Sequence, residues 1–115
     1  MRSCVFCKIA NGDIPAKKVY EDGDVLAFWD LEPQAPVHIL VIPKRHVRDV
    51  TCFATKEDGV LLLAIMKVIT AIAEKQGIAD SGFRVVANTG VNGGQTVDHV
   101  HFHILGGRAM SWPPG

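Results

Sequence analysis

The sequence carries no excess charge of either sign: its Lys plus Arg count of 12 is matched by an Asp plus Glu count of 12. A chain without a basic field has nothing to gather nucleic acid or an anionic membrane surface, so neither is expected as a partner. Long apolar runs are also missing. The longest, Val60 to Met66, falls far short of the roughly 20 residues needed to span a bilayer. Lys8 and Asp13 interrupt the apolar core that a secretory signal would need at the start of the chain, so the expected location is cytoplasmic. Cysteine is scarce and odd in number, with Cys4, Cys7 and Cys52 only, which argues against a disulfide framework. There is no Walker-type glycine loop ending in Lys-Ser or Lys-Thr and no obvious carboxylate cluster for magnesium. What is present is ordinary for a globular protein: 48% hydrophobic and 21% charged residues in a chain of 115. That length suits one domain over 1–115 with one site, and a small-molecule ligand.

Periodicity divides the chain into short segments. Ser3 is placed to cap a short helix over about 4–11, stopped by Gly12. Lys18 to Glu21 and Val25 to Asp30 flank Asp22-Gly23, a dipeptide suited to tight hairpins because both residues tolerate positive φ. Alternation along the second strand puts Leu26, Phe28 and Asp30 on one face and Val25, Ala27 and Trp29 on the other. A third strand, His38 to Ile42, follows the proline-punctuated loop from Glu32 to Pro36. Thr55-x-x-Asp58 reads as a capping-box variant opening a helix to about Gln76, with Gly77 at its C-terminal cap. Leu62, Ile65, Met66, Ile69, Ile72 and Ala73 keep helical spacing and mark that helix as a core element. Phe83 to Asn88 and Val97 to Leu105 are two more strands, joined through Asn92-Gly93. The class is α+β: five strands, mostly antiparallel, with one short and one long helix.

His99, His101 and His103 alternate with Val100, Phe102 and Ile104. On a strand the three imidazoles share one face, and the outer two Cα atoms lie roughly 13 Å apart at about 3.3 Å per residue. Zinc bonds nitrogen at about 2.0–2.1 Å, so a straight strand does not bring all three to one ion. It does line them along a phosphate-sized ligand. Histidine is a poor strand former with a polar tip to satisfy, so three of the chain's five on one face are hard to explain as packing. Upstream, Gly90, Gly93 and Gly94 remove bulk where a loop could approach a phosphate, and Asn88, Gln95 and Thr96 bring donors. Phosphoryl transfer is mostly positioning and charge stabilisation, and neutral donors with imidazole suffice for a singly charged, diester-like centre.

The run His99-Val-His101-Phe-His103-Ile-Leu resembles the signature of the histidine triad (HIT) family. The likeness extends over Cys4-Val-Phe-Cys-Lys-Ile, Phe28-Trp-Asp-Leu-Glu-Pro-Gln-Ala-Pro, Val41-Ile-Pro-Lys, Gly93-Gly-Gln and the ending Trp112-Pro-Pro-Gly, which is similar to the Hint branch. That branch consists of homodimeric purine nucleoside phosphoramidases with a sheet extended across the dimer. The resemblance implies a purine nucleotide-binding hydrolase of the adenosine 5′-monophosphoramidase type. It cleaves P–N bonds of adenosine or guanosine 5′-phosphoramidates, and related acyl-adenylates, with no cofactor required. His101 is then the nucleophile, forming a nucleotidyl-histidine. His103, Asn88 and Thr96 contact the phosphate oxygens, Gln95 is a further nucleotide-binding residue, Thr96 also helps protonate the leaving amine, and His99 supports the nucleophile's orientation together with His38. Asp30 is implied to hold the ribose hydroxyls, and Phe28, Leu31, Val5, Phe6, Ile9, Ile14 and Leu40 the base, though the aliphatics fit equally as core. Asp98 and Ser111 depart from the branch pattern near the leaving-group side. Two other readings stand beside this one: dinucleoside polyphosphate hydrolysis and a nucleotide-sensing interaction protein.

Cys4 and Cys7 have metal-ligand spacing, and His46 with His99 completes a Cys₂His₂ set. Relatives with matching positions both do and do not hold zinc, so a structural zinc site and a pair of small buried thiols both remain open.

Overall fold

The computed structural model describes residues 4–115. Its centre is a sheet of β1 (Lys18–Glu21), β2 (Val25–Trp29), β3 (Val37–Pro43), β4 (Phe83–Val86) and β5 (Phe102–Gly106). The order is β1-β2-β3-β5-β4, and every neighbouring pair is antiparallel. β3 sits at the middle, covered on both faces. That explains why Ile39, Leu40, Val41 and Ile42 are all buried and read as a continuous apolar run rather than an alternating one.

Alternation sorts the two faces as expected. Val25, Ala27, Ile39, Val41, Phe102 and Ile104 pack under the long helix α2 (Lys56–Lys75) through Ile65, Val68, Ile69 and Ile72. Leu26, Phe28, Leu40 and Ile42 face the other way and meet Phe6 and Ile9 of the short helix α1 (Val5–Ala10). α2 opens as the Thr55-x-x-Asp58 pattern implies, with the Thr55 hydroxyl accepting the Asp58 N–H at 3.2 Å. Instead of reaching a backbone donor, the Asp58 carboxylate accepts a hydrogen bond from the Thr55 hydroxyl at 2.8 Å. Gln76 caps the far end of α2.

Four local expectations change. The cap of α1 is Cys4, whose sulfur accepts the Cys7 N–H at 3.4 Å; Ser3 lies outside the described residues. The β1–β2 turn does not use positive φ at Gly23. Its closure comes from the Asp22 carboxylate, which accepts the N–H groups of Asp24 at 2.7 Å and Val25 at 2.8 Å. A 3-10 helix, η1 (Val50–Phe53), fills the link before α2, capped by Asp49. Its signal was the Asp49-x-Thr51 pair, in which Asp49 accepts both the Thr51 N–H and hydroxyl. Most consequentially, regular strand geometry begins at Phe102 rather than Val97. The segment carrying His99 and His101 approaches the sheet as irregular backbone.

Candidate active site

The late start of β5 gives the three histidines different surroundings. Val100 is still buried under α2 and His103 still pairs with Leu40, so the alternation of faces survives. His99 is fully buried, His101 is 5% exposed and His103 is partly exposed. The His101 and His103 rings lie 5.1 Å apart between centroids. His99 turns instead toward the cysteines, with its Nδ1 3.3 Å from the Cys4 sulfur.

Backbone groups decide which nitrogen of each ring carries a proton. A carbonyl can only accept. The His99 carbonyl lies 2.8 Å from His101 Nδ1, so Nδ1–H donates, and whenever the ring is neutral its lone pair is on Nε2. The Pro43 carbonyl lies 2.8 Å from His99 Nε2, so that nitrogen donates and the His99 Nδ1 lone pair is left for the thiols. On the neighbouring strand His38, 4% exposed, sits 2.9 Å from His103 through Nε2 and Nδ1 and 3.4 Å from the Asp30 carboxylate. His38 therefore faces His103 and Asp30 rather than His101, whose orientation it was expected to support together with His99. Burial, followed by the nearby His101 and His38 rings, pushes the pKa of His103 down to about 4. Burial also lowers His38, against the opposing pull of Asp30. His103 Nε2 is buried with no hydrogen-bond partner among the described residues.

Beside these rings lies a cavity of about 260 Å³ lined by Val5, Phe6, Ile9, Ile14, Phe28 and Leu40, with Asp30 and Leu31 at one end. Every expected base-pocket residue is thus on its wall, although Leu31 is 95% exposed. Phe6 joins the cavity to the histidines: it meets Phe28 at 5.7 Å and His101 at 5.1 Å, edge to face in both cases. Asp30 accepts the Glu32 N–H on Oδ1 at 2.8 Å, which orients its carboxylate on the cavity wall. Pro15, Ala16, Lys17 and Trp29 line the same space and were not singled out by periodicity. The signal for the first three was the extended, proline-marked segment between α1 and β1. A larger hollow of about 590 Å³ near Asp24, Arg45 and Asp58 contains no histidine, and its Arg45 and Asp58 charges pair with each other.

The glycine-rich loop is shaped by one close approach. A Cβ on Gly93 would lie 2.3 Å from the Thr89 carbonyl oxygen, so no larger residue fits. Gly94 follows with φ of +77°, a left-handed conformation that glycine adopts without strain. Gln95 departs from its expected role as a ligand donor. Its amide nitrogen donates to the carbonyls of Arg48 at 2.7 Å and Val97 at 3.0 Å, and its oxygen accepts the Gly90 N–H at 3.0 Å. Its polar groups are spent on shaping the loop. Asn88 is half-buried and Thr96 exposed at the two ends of that loop.

Cys4, Cys7, His46 and His99 offer ligand atoms all within 4.8 Å of one another. The Cys7 sulfur lies 3.3 Å from His46 Nδ1 and 3.5 Å from His99 Nδ1. Tetrahedral zinc with bonds of about 2.0–2.3 Å sets its ligands about 3.3–3.8 Å apart. The donor set fits such an ion, and the Pro43 carbonyl already fixes His99 in the ligating tautomer.

Residues 11–110 match the HIT domain. The chain belongs to this family. An uncharacterized HIT-like protein of Synechococcus elongatus is 51% identical over 111 residues, covering 96% of each chain. A 14 kDa zinc-binding protein of Brassica juncea is 47% identical, covering 96% of this chain and 98% of its own. Among solved structures, a HIT family hydrolase from Legionella pneumophila superposes with a TM-score of 0.95 at 47% identity, covering 98% of this chain and 100% of that one. The five-stranded antiparallel sheet with two helices is the HIT fold.

Neutral His103 in the folded HIT domain has a consequence for acid stability. The unfolded chain takes up a proton near pH 6.5, whereas the folded protein resists until about pH 4. Stability is therefore fully present above pH 6.5 and is lost as pH falls toward 4. Because the ring is only partly buried and solvent screens it, the contribution is on the order of 1 to 2 kcal/mol. Urea midpoints across this range should fall more steeply for the native chain than for His103→Gln, and equal slopes would contradict a neutral, buried His103.

Proposed function

We propose that the protein is a purine nucleoside phosphoramidase of the Hint type, using His101 as nucleophile. The observation that carries this reading is the His101 Nδ1–H bond to the His99 carbonyl, which selects for this nearly buried ring the tautomer whose lone pair is on Nε2. Attack by Nε2 on the α-phosphorus breaks the P–N bond and the leaving amine takes a proton from solvent, a relay assigned to the Thr96 hydroxyl. Forming the P–Nε2 bond makes the imidazole cationic. The Nδ1–H bond to the His99 carbonyl then strengthens as charge develops, stabilising the transition state more than the ground state. Water attacks the phosphorus next, releasing the nucleoside monophosphate and returning His101 to its neutral form.

The remaining roles follow the resemblance to the family. His103, Asn88 and Thr96 receive the phosphate oxygens, and Asp30 the ribose hydroxyls, for which a carboxylate with two acceptor oxygens is suited. The apolar cavity between Phe6, Phe28 and Leu40 takes the base. Gln95 holds the loop around the phosphate rather than touching it. The name of the Legionella relative, a HIT family hydrolase, supports the reaction class. The same reading carries a homodimer whose sheet continues across the free edge of β4. We further assign a structural zinc ion to Cys4, Cys7, His46 and His99, supported by the donor spacing and by the name of the Brassica relative.

Purified protein should hydrolyse adenosine 5′-phosphoramidate, and His101→Ala should lower kcat by about a thousandfold or more. Equal, slow turnover by both would overturn the assignment, and preference for a diadenosine polyphosphate would redirect it to the other hydrolase class. For the metal, elemental analysis after dialysis should find one zinc per chain in the native protein and none in Cys7→Ser. Zinc-free native protein purified and refolded with zinc supplied would sink the zinc assignment while leaving the hydrolase intact.

A further inference from the structure

His38 is buried beside the site but has no part in the reaction as written. Its surroundings fix its protonation without reference to any ligand. Nδ1 lies 3.0 Å from the backbone nitrogen of Gln34, whose hydrogen can be neither lost nor turned away. Nδ1 must accept, so the single proton of the ring sits on Nε2. That nitrogen lies 2.9 Å from His103 Nδ1. Two hydrogens do not fit in that gap, so His103 Nδ1 must accept as well and His103 carries its own proton on Nε2. This is the buried nitrogen that has no partner among the described residues. Each ring in the series is neutral, each donates onward, and the last donor is left over for a ligand.

The same geometry argues against a second metal site. Asp30, His38 and His103 present ligand atoms within 4.8 Å of one another. A cation on His38 Nε2 would need the lone pair there, which moves the proton to Nδ1 and into the Gln34 N–H. The hydrogen-bonded reading has no such conflict, and the Asp30 oxygen at 3.4 Å takes the weaker share of the same proton.

Gln34 is itself held. The Arg108 guanidinium donates to the Gln34 carbonyl through Nε at 3.2 Å and Nη2 at 2.9 Å, and the Gln34 side chain bonds the Glu32 carbonyl at 3.1 Å. Pro33 and Pro36 bracket it and restrict the loop further. We propose that the series from Gln34 N–H through His38 to His103 is a proton-ordering chain in which His38 is a positioning residue. It locks His103 as a neutral donor through Nε2, with Arg108 clamping the residue from which the order starts. A ring free to turn over would offer its lone pair to an anionic oxygen in one of its two orientations. The chain removes that repulsive arrangement before the ligand arrives. That the recipient is a phosphate oxygen rests on the phosphoramidase reading, but the order of protons does not.

Long-range ¹H–¹⁵N spectra of histidine-labelled protein at pH 7, without nucleotide, read the tautomers directly. Both His38 and His103 should show protonated Nε2 and bare Nδ1. A cationic His38, or an Nδ1–H form of either ring, overturns the chain whether or not the protein hydrolyses anything. His38→Gln keeps an amide donor for His103, whereas His38→Ala does not. The alanine variant should lose about tenfold to a hundredfold in kcat and lose the single His103 tautomer, with both largely restored by glutamine. If alanine and glutamine variants are equally impaired and His103 keeps its native spectrum in both, His38 merely fills space and the proposal fails. Should the alanine variant not fold, the native spectrum still decides.

Discussion

The His101 imidazole is held by the carbonyl of a residue only two positions before it in its own chain. In a regular strand a side chain stands away from its own backbone and cannot return to that carbonyl, so the contact depends on the irregular approach of residues 97–101 to the sheet. The rest of the site follows from this departure. It turns His99 toward the cysteines, leaves His101 beside Phe6, and releases His103 into the sheet opposite Leu40. Backbone groups also orient the other rings: the Pro43 carbonyl holds His99 and the Gln34 N–H holds His38. Because a peptide group cannot change its protonation, each contact fixes a tautomer without needing a charged partner.

Burial keeps His38, His99 and His103 on the neutral side. Buried imidazoles close together disfavour protonation by desolvation and mutual repulsion, and His103 is pushed down to about 4 on those grounds. A site of neutral donors and one lone pair suits a centre bearing a single negative charge. It also accords with the balanced charge of the chain, which supplies no wider field to compensate a cluster of cations.

Much of this was legible in residue order. The face assignment of Phe28 with Asp30, and of His103 with His101, needed only the two-residue period. The core helix followed from the spacing of Ile65, Ile69 and Ile72. What periodicity could not supply were contacts between distant segments. Nothing in the order of residues says that Gln95 stitches to Arg48, that His38 faces His103, or that a Gly93 side chain would collide with Thr89. The start of β5 was misjudged because the alternation of His and apolar residues persists through irregular backbone. Alternation reports which side a residue faces, not whether the ladder of hydrogen bonds has begun.

The central claim is that His101 Nε2 becomes covalently bonded to phosphorus. It is tested most directly by mixing the protein with excess adenosine 5′-phosphoramidate, quenching within one turnover under conditions that preserve phosphoramidate bonds, and mapping peptides by mass spectrometry. The account predicts a single adenylate on the peptide containing His101, located on that residue. Turnover with the adenylate on another residue, or with direct transfer to water shown by inversion at a chiral phosphorus, would contradict it.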